Sequence, residues 1–290
     1  MKRIIRILRK NACSIAPITA NKIMYRALMK KSLNLKNPAT FNEKINWLKL
    51  YDYPNNNLVI KCTDKFAVRE YVESKGLDYI LNDLYGVYNK TEDIDWDKLD
   101  EKFVLKCNHG CGYNIICDDK KKLDIDRAKI SLNKWMKEDF GKVSGEPHYS
   151  KIDKKIVCEK YLGKDILDYK FFCFKGEPQF LYISRAVAGS HHGLKADFFD
   201  LNGNKMPFRR TDHESFDSIP PMIKNMNEAI EICKTLSSDF EFVRVDLFEV
   251  EEKIYFSELT FSPCTGMMPI SPEHFDNNLG SMIDLEEIKK

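Results

Sequence analysis

Residues 242–261, FVRVDLFEVEEKIYFSELTF, carry the pattern that most constrains the fold of this chain. In the first half apolar residues alternate with Arg244 and Asp246, and in the second half with Glu258 and Thr260. Alternation with a period of two predicts two β-strands, each with one apolar and one polar face. The polar run EEK between the halves predicts a turn, so the segment is expected to form an antiparallel hairpin.

The register of this hairpin decides whether its charged residues form a site. A three-residue turn at 251–253 places Asp246 directly opposite Glu258, and facing side chains have Cβ atoms about 4.5–5.5 Å apart. Two carboxylates that close repel unless a cation or a proton lies between them, and Mg²⁺ is the cation that best suits such oxygen ligands. A two-residue turn would instead shift the register and put the acids on opposite faces. A solvated hairpin face would show the same alternation without any metal.

A second candidate site is the segment FVLKCNHGCGYN, in which Lys106 ends an apolar strand and a turn with Gly110 and Gly112 follows. A turn of this kind can direct several backbone N–H groups at one anion, and the lysine adds a full positive charge. The pattern therefore predicts a phosphate site, with an ordinary hairpin turn as the alternative. It is not a P-loop, because the lysine precedes the glycines.

Composition limits the class of protein. The chain has 290 residues, 43% of them hydrophobic, which is enough for one large domain or two to three small ones. Nine cysteines without a CxxC pair predict reduced thiols in a cytoplasmic protein.

Residues 1–36 form a basic arm that holds ten of the 46 Lys/Arg residues and none of the 44 Asp/Glu residues. The rest of the chain is therefore acidic, and no base-reading module is visible, which argues against nucleic acid as a partner. A basic arm on an acidic body predicts attraction to an anionic surface such as a membrane. A solvated terminal helix is the alternative.

The pattern along the chain is that of an α+β protein with antiparallel hairpins. Outside 242–261 the sequence predicts, in order, a helix from the capping box of Thr40 and Glu43 to about Tyr51, a helix capped by Asp64 that ends before Gly76, a loop-rich stretch at 82–100, strands at 102–106 and 115–117, a helix at 124–140, a loop at 141–150, a strand at 156–162, a hairpin of 169–174 with 179–187, a helix that begins near Met222, and a Pro- and Gly-rich tail after 261.

Several motifs in one order resemble the ATP-grasp superfamily, and most closely its TupA-like branch, which is associated with teichuronopeptide and capsule biosynthesis. They are NPATFNEKINWLKLYD, DKFAVREYVESKG, FVLKCNHGCG, DYKFFCF, FVRVDLF and IYFSELTFSPCTG, and the resemblance covers about residues 37–283. It implies an α+β ATP-grasp fold in which two subdomains grip a nucleotide between antiparallel sheets. The subdomains are expected at 61–160 and 161–290, after a basic helical region at 1–60.

The resemblance also implies a role for each matching residue. Mg²⁺ would be held by Asp246, Glu258 and Thr260, and Arg244 would stabilise the transferred phosphoryl or acyl-phosphate charge. Thr260 departs from the wider superfamily, which has asparagine there. ATP would be bound by Lys65, Lys106, Gly110, Gly112, Asn114, Glu159, Tyr161, Leu162, Asp168 and Lys170. Among these, Glu159 would begin the strand that passes the adenine, Asp168 would bind the ribose, and Lys170 would reach the phosphates and act in catalysis.

The reaction implied by the resemblance is an ATP-dependent carboxylate–amine ligation. An acyl phosphate forms, ADP leaves, and an amine then gives an amide, here between an amino acid and a uronic-acid-containing glycan or sugar precursor. A kinase or phosphotransferase on the same fold is one alternative, and a glycosyltransferase-associated polysaccharide-biosynthesis protein is another. Residues 1–36 would then contact an anionic membrane or glycan-assembly proteins at its inner face. His191 and His192, in a predicted loop, are further candidates for substrate contact.

Overall fold

The computed structural model describes residues 11–185, 195–286 and 288 of the chain, so His191, His192 and the first ten residues of the basic arm lie outside the described residues. The helices and strands, in chain order, are α1 (Pro17–Met29), α2 (Phe41–Trp47), α3 (Asn57–Thr63), α4 (Val68–Ser74), β1 (Leu84–Tyr88), β2 (Phe103–Cys107), β3 (Asn114–Cys117), α5 (Ile125–Lys137), α6 (Phe140–Ser144), β4 (Ile156–Lys160), β5 (Leu167–Phe174), β6 (Glu177–Arg185), β7 (Lys195–Phe199), β8 (Arg209–Arg210), α7 (Met226–Ser237), β9 (Phe242–Val250), β10 (Lys253–Thr260), β11 (Ile270–Ser271) and α8 (His274–Ser281).

Two antiparallel sheets organise these elements, which confirms the α+β class. The smaller sheet has the strand order β1-β4-β2-β3, and the larger has the order β10-β9-β5-β6-β7. A two-stranded ribbon pairs β11 with β8. Within the described residues, no helix combines the length and the apolar composition that crossing a membrane requires.

The larger sheet is covered on both faces, which is why β9 is buried along most of its length. On one face α7 packs its apolar side against the alternate residues Val243, Val245 and Leu247. On the other face Phe41 of α2 packs edge-on against Phe242, with ring centroids 5.0 Å apart. That second face is apolar only under α2. Further along the strands the same face carries charged residues.

The capping box predicted at Thr40 is confirmed, because its side chain accepts from the Glu43 N–H while the Glu43 carboxylate accepts from the Thr40 N–H. This cap satisfies backbone donors that a helix start leaves unpaired. Asp64 accepts from the N–H groups of Phe66 and Ala67 in the turn before α4, but α4 itself begins at Val68 and has no side-chain cap, so the predicted cap lies ahead of the helix start.

The three-residue turn predicted for 251–253 is wrong. Glu251 and Glu252 alone form the turn, both with positive φ (52° and 64°), which matches the right-handed twist of the flanking strands. A β-bulge at Ser257 adds one residue to β10 and restores the register. Asp246 therefore still pairs with Glu258, as predicted.

Several element boundaries also differ from those expected. The loop predicted at 141–150 contains α6 and the 3₁₀ helix Pro147–Lys151, because Asp139 caps the helix start by accepting from the Lys142 N–H. The helix expected near Met222 begins at Met226, where Asn225 supplies the cap. The loop-rich stretch at 82–100 contains β1, the strand expected at 156–162 ends at 160, and the tail contains α8.

Candidate functional site

The face of the larger sheet that α2 covers also carries charged residues, beyond the part that lies under α2. They include a row of directly opposed residues that crosses the strands. Glu258 on β10 pairs with Asp246 on β9, which pairs with Lys170 on β5. The neighbouring row pairs Thr260 with Arg244. Because residues two apart on a strand share a face, these residues point to one side of the sheet. Asp168 joins them from two residues before Lys170.

Asp246 is the centre of this cluster and is fully buried. Arg244 donates to its two carboxylate oxygens from Nε at 2.7 Å and from a terminal nitrogen at 2.6 Å. Lys170 Nζ donates to it at 3.1 Å. Burial lowers the pKa of Arg244, but Asp246 and Glu258 outweigh that effect and raise it. The guanidinium is therefore held in one orientation, beside the carboxylates, and stays charged.

Glu258 lies nearer the solvent, with 34% of its side chain exposed. Lys65 Nζ lies 3.4 Å from one of its oxygens and Arg244 lies 3.6 Å from the other, to which the Thr260 hydroxyl also donates at 3.1 Å. Burial raises the pKa of Glu258, but Lys65, Arg244 and Lys170 together lower it to about 2. Glu258 is therefore ionised at neutral pH.

Asp168 differs from the other two acids, because burial raises its pKa to about 6 in spite of the nearby Lys170. Lys170 donates to one oxygen of Asp168. The other oxygen, Oδ1, is buried and has no hydrogen-bond partner among the described residues. An open buried acceptor of this kind suits a ligand hydroxyl.

Lys106 belongs to a second cluster, on the smaller sheet. Its Nζ donates to Glu159 at 2.6 Å, and a terminal nitrogen of Arg69 lies 3.8 Å from the other Glu159 oxygen. Glu159 lies near the end of β4, so the expectation that it begins a strand is wrong. Tyr161 and Leu162 follow in the half-buried connection from β4 to β5, which joins the two sheets.

The predicted phosphate loop is the connection between β2 and β3. A Cβ atom on Gly110 would lie 2.6 Å from the Tyr113 ring, so only glycine fits there. Gly112 has φ +72°, which also favours glycine. Tyr113 stacks on Trp135, with ring centroids 5.4 Å apart, and Asn114 pairs with Lys106 where β3 begins. The loop is therefore supported by aromatic packing rather than by the sheet alone.

The tip of this loop reaches the acids of the larger sheet. Cys111 is exposed as a whole residue, but its thiol lies close enough to Glu258, Lys65 and Arg244 for their charges to act on it. Burial raises the pKa of this thiol, and Glu258 raises it further. The predicted phosphate loop therefore lies near the acid cluster.

Asn108 is a structural residue of the site that the sequence analysis missed. It is fully buried, it donates to Asp64 at 2.9 Å, and it accepts from the Lys155 N–H at 2.7 Å. Its carbonyl also accepts from the backbone N–H of Lys65. It therefore fixes Lys65 beside the phosphate loop. No local pattern marks it, because its partners lie far away in the sequence.

A model of the TupA-like ATP-grasp family matches residues 43–284. The chain belongs to this family. Family membership gives it the ATP-grasp fold. The match includes all the predicted site residues, from Lys65 on the α3–α4 turn to Thr260 at the end of β10. A search of curated proteins found no match.

Solved structures of ATP-grasp ligases are similar at low identity. The D-alanine–D-alanine ligase of Bacillus anthracis complexed with ATP is 15% identical, with 69% of this chain and 55% of that chain covered and a TM-score of 0.43. The enzyme of the same name from Helicobacter pylori is 13% identical, with 85% and 68% covered and a TM-score of 0.46. Phosphoribosylamine–glycine ligase of Thermotoga maritima is 13% identical, with 74% and 52% covered and a TM-score of 0.40. The chain spans about half the length of the first of these ligases.

Proposed function

We propose that this protein is an ADP-forming carboxylate–amine ligase that makes a C–N bond through an acyl phosphate. The observation that carries the proposal is the register pair of Asp246 and Glu258 on one sheet face, with Arg244, Lys170 and Lys65 bound to it. Three carboxylates and three cations balance there, counting Asp168. A neutral, oriented cluster of this kind suits the binding of a charged phosphate chain together with a divalent cation.

Asp246 and Glu258 are the residues that would hold Mg²⁺, and their chemistry fits it. Mg²⁺ is commonly bound by one or two carboxylates together with substrate phosphates and water. No group of three or more His, Cys, Asp or Glu residues suited to a metal ion occurs in the described part of the chain, so a fully protein-bound ion is not part of the proposal. When bound, the ion would neutralise developing phosphate charge. The Thr260 hydroxyl already bonds both Glu258 and Arg244, which favours a positioning role over direct ligation.

In the proposed reaction, a carboxylate oxygen of the substrate attacks the γ-phosphorus of ATP. The bond from that phosphorus to the bridging oxygen breaks, and ADP leaves. Lys106 and Lys170 would bind the phosphates, and Arg244 would offset charge at the phosphorus under attack. The amine nitrogen then attacks the acyl carbon, phosphate leaves with the carbon–oxygen electron pair, and the amine proton passes to phosphate or water. The loop with Gly110 and Gly112 would shield the acyl phosphate from water.

We propose an amino acid and a uronic-acid-containing glycan or sugar precursor as the substrates, in the synthesis of a cell-surface polysaccharide. Support for this comes from the resemblance to the TupA-like branch. An ADP-release screen of uronic acids paired with amino acids tests it. The proposal expects ADP release that requires both partners. Release without an amine, with a stable phosphorylated product, would instead establish the kinase alternative. If no pair releases ADP, the ligase proposal fails, and a role in glycan assembly without this chemistry remains.

The basic arm supports a further proposal, peripheral contact with an anionic membrane. Ile15 and Ile23 are 85% and 64% exposed, and the exposed Lys22 and Arg26 lie beside Ile23 on α1. Exposed apolar side chains next to cations are typical of helices that lie on a membrane surface.

A further inference from the structure

The charged row of the larger sheet continues beyond Lys170 to Tyr182 on β6, which pairs directly with it. Tyr182 is 4% exposed, and its hydroxyl is buried without a hydrogen-bond partner among the described residues. A buried hydroxyl left unpaired costs about 1–3 kcal/mol. This hydroxyl lies on the face that carries the acid cluster, so a ligand there could pair with it.

Arg210 covers Tyr182. It lies on β8, which β11 holds by the pairing of Ile270 with Arg210, and its guanidinium carbon is 5.5 Å from the centroid of the Tyr182 ring. Asp212 accepts from Nε at 3.0 Å and from one terminal nitrogen at 2.7 Å. The Asp212 carboxylate therefore occupies the Nε side of the guanidinium. The opposite side, formed by the two terminal nitrogens, has no hydrogen-bond partner within the described residues and matches a second carboxylate in bidentate geometry.

Cys264 lies near both the pair of Arg210 with Tyr182 and the acid cluster. This residue lies in the turn after β10, where its φ is +51°. Its thiol is close enough to both Arg210 and Arg244 for the two guanidiniums to act on its pKa, which burial raises. The charges of Arg210 and Lys170 also act on the pKa of Tyr182, which burial raises and both of them lower. Both arginines therefore lie near this one small side chain.

The spacing fits an amino acid. Adjacent strands lie about 4.8 Å apart, so Tyr182, two strands from Asp246 along the row, is roughly 10 Å from it. An α-amino acid whose carboxylate binds Arg210 would direct its amine toward Lys170 and Arg244. Reacting atoms need to come within about 3–3.5 Å, so the proposal requires the acyl carbon to lie that close to the amine.

We propose that Arg210 and Tyr182 form a subsite for the α-carboxylate of the incoming amino acid. The Arg210 guanidinium binds the carboxylate in bidentate fashion, and the Tyr182 hydroxyl donates to it. This inference rests on the proposed ligase function, because it assigns the amine substrate of that reaction. It explains why a cation already paired with Asp212 is kept beside a buried, unpaired phenol.

Thermal unfolding of the full chain with MgADP provides the test. The common L-amino acids are added one at a time, each beside its α-carboxamide, to the wild type, Arg210→Gln, Tyr182→Phe and Arg209→Gln. Arg209 is the exposed neighbour on the same strand and serves as the matched control. At least one amino acid should raise the melting temperature while its carboxamide does not. Arg210→Gln should weaken that binding about tenfold or more, since it removes a charge-assisted pair. Tyr182→Phe should weaken it several-fold, and Arg209→Gln should behave as wild type.

Three results would overturn the subsite: no amino acid stabilises the wild type, the carboxamide stabilises it equally, or Arg210→Gln responds like Arg209→Gln. A loss of the MgADP response in Arg210→Gln would mean that the substitution disturbs more than amino-acid binding. Tyr182→Phe, which keeps the aromatic ring, then takes its place, and a response equal to that of Arg209→Gln overturns the subsite. The subsite and the proposed function fail separately. If an amino acid binds through its carboxylate and needs Arg210, but the enzyme never forms an acyl phosphate, the ligase proposal is refuted and the subsite proposal stands.

Discussion

Replacing Asp246 by asparagine should destabilise the protein far more than replacing Glu258 by glutamine, although the two carboxylates face each other. Asp246 is fully buried and accepts two hydrogen bonds from Arg244 and one from Lys170. Removing one partner of a buried ion pair costs about 3–5 kcal/mol, because the remaining charge is left uncompensated. We therefore expect Asp246→Asn to lower the free energy of unfolding by about that amount.

Glu258 is a third exposed, and its ion pairs with Lys65 and Arg244 are long, at 3.4 and 3.6 Å. A pKa that falls from 4.5 to about 2 sets an upper limit of roughly 3 kcal/mol on its contribution. Solvent screening reduces this strongly, so we expect Glu258→Gln to cost about 1 kcal/mol. The contribution is fully present at pH 7, above the usual pKa, and is lost only as the pH falls through about 2.

The assay is urea unfolding of both variants at pH 7 without nucleotide, followed by calorimetric titration with MgATP. Both variants should lose about tenfold or more in MgATP affinity, because each removes a carboxylate from the same proposed metal site. The stability costs should nevertheless differ by about 2 kcal/mol or more. Equal costs, or wild-type MgATP affinity in either variant, would refute the reasoning from burial and register.

Lys106→Ala should weaken MgATP binding about tenfold in calorimetry, while the exposed Lys102→Ala should not, and equal affinities would contradict the phosphate role. The pKa of Asp168 is about 6 against an ordinary 3.8, so its carboxyl contributes at most roughly 3 kcal/mol to the free energy of unfolding below pH 3.8, and this contribution is lost as the pH rises through 6. The free energy of unfolding of Asp168→Asn should not show this decline. Parallel pH curves for the variant and the wild type would exclude the contribution. Deleting residues 1–10 should reduce binding to anionic vesicles at low salt without changing ATP turnover, because each Lys/Arg near such a surface contributes about 1 kcal/mol; unchanged vesicle binding would assign the arm another role.

The hairpin at 242–261 illustrates what the sequence could establish. Alternation predicted two strands, and the pairing of Asp246 with Glu258 followed from an assumed turn. The turn is one residue shorter, and the bulge at Ser257 compensates for it. A bulge cannot be recognised from the alternation of apolar and polar residues, because its one extra polar residue resembles an ordinary residue at a strand end. The predicted pairing was therefore right although its premise was wrong.

Elements that depend on contacts between residues far apart in the sequence were harder to predict. β1 is partly exposed and pairs with β4, about seventy residues later, so it carries no local alternation. The Arg69 and Asn108 contacts depend on the same kind of long-range packing. Arg210 reaches the larger sheet only because the short ribbon of β8 and β11 forms, and neither strand is long enough to be read from its sequence.

Hydroxylamine trapping tests the central claim most directly. Hydroxylamine converts an acyl phosphate to a hydroxamate and takes the place of the amine, so the experiment needs only the enzyme, MgATP and the carboxylate substrate. The ligase account predicts hydroxamate together with ADP, no AMP, and loss of both products in Asp246→Asn. AMP with pyrophosphate, or a stable phosphate ester without hydroxamate, would contradict it.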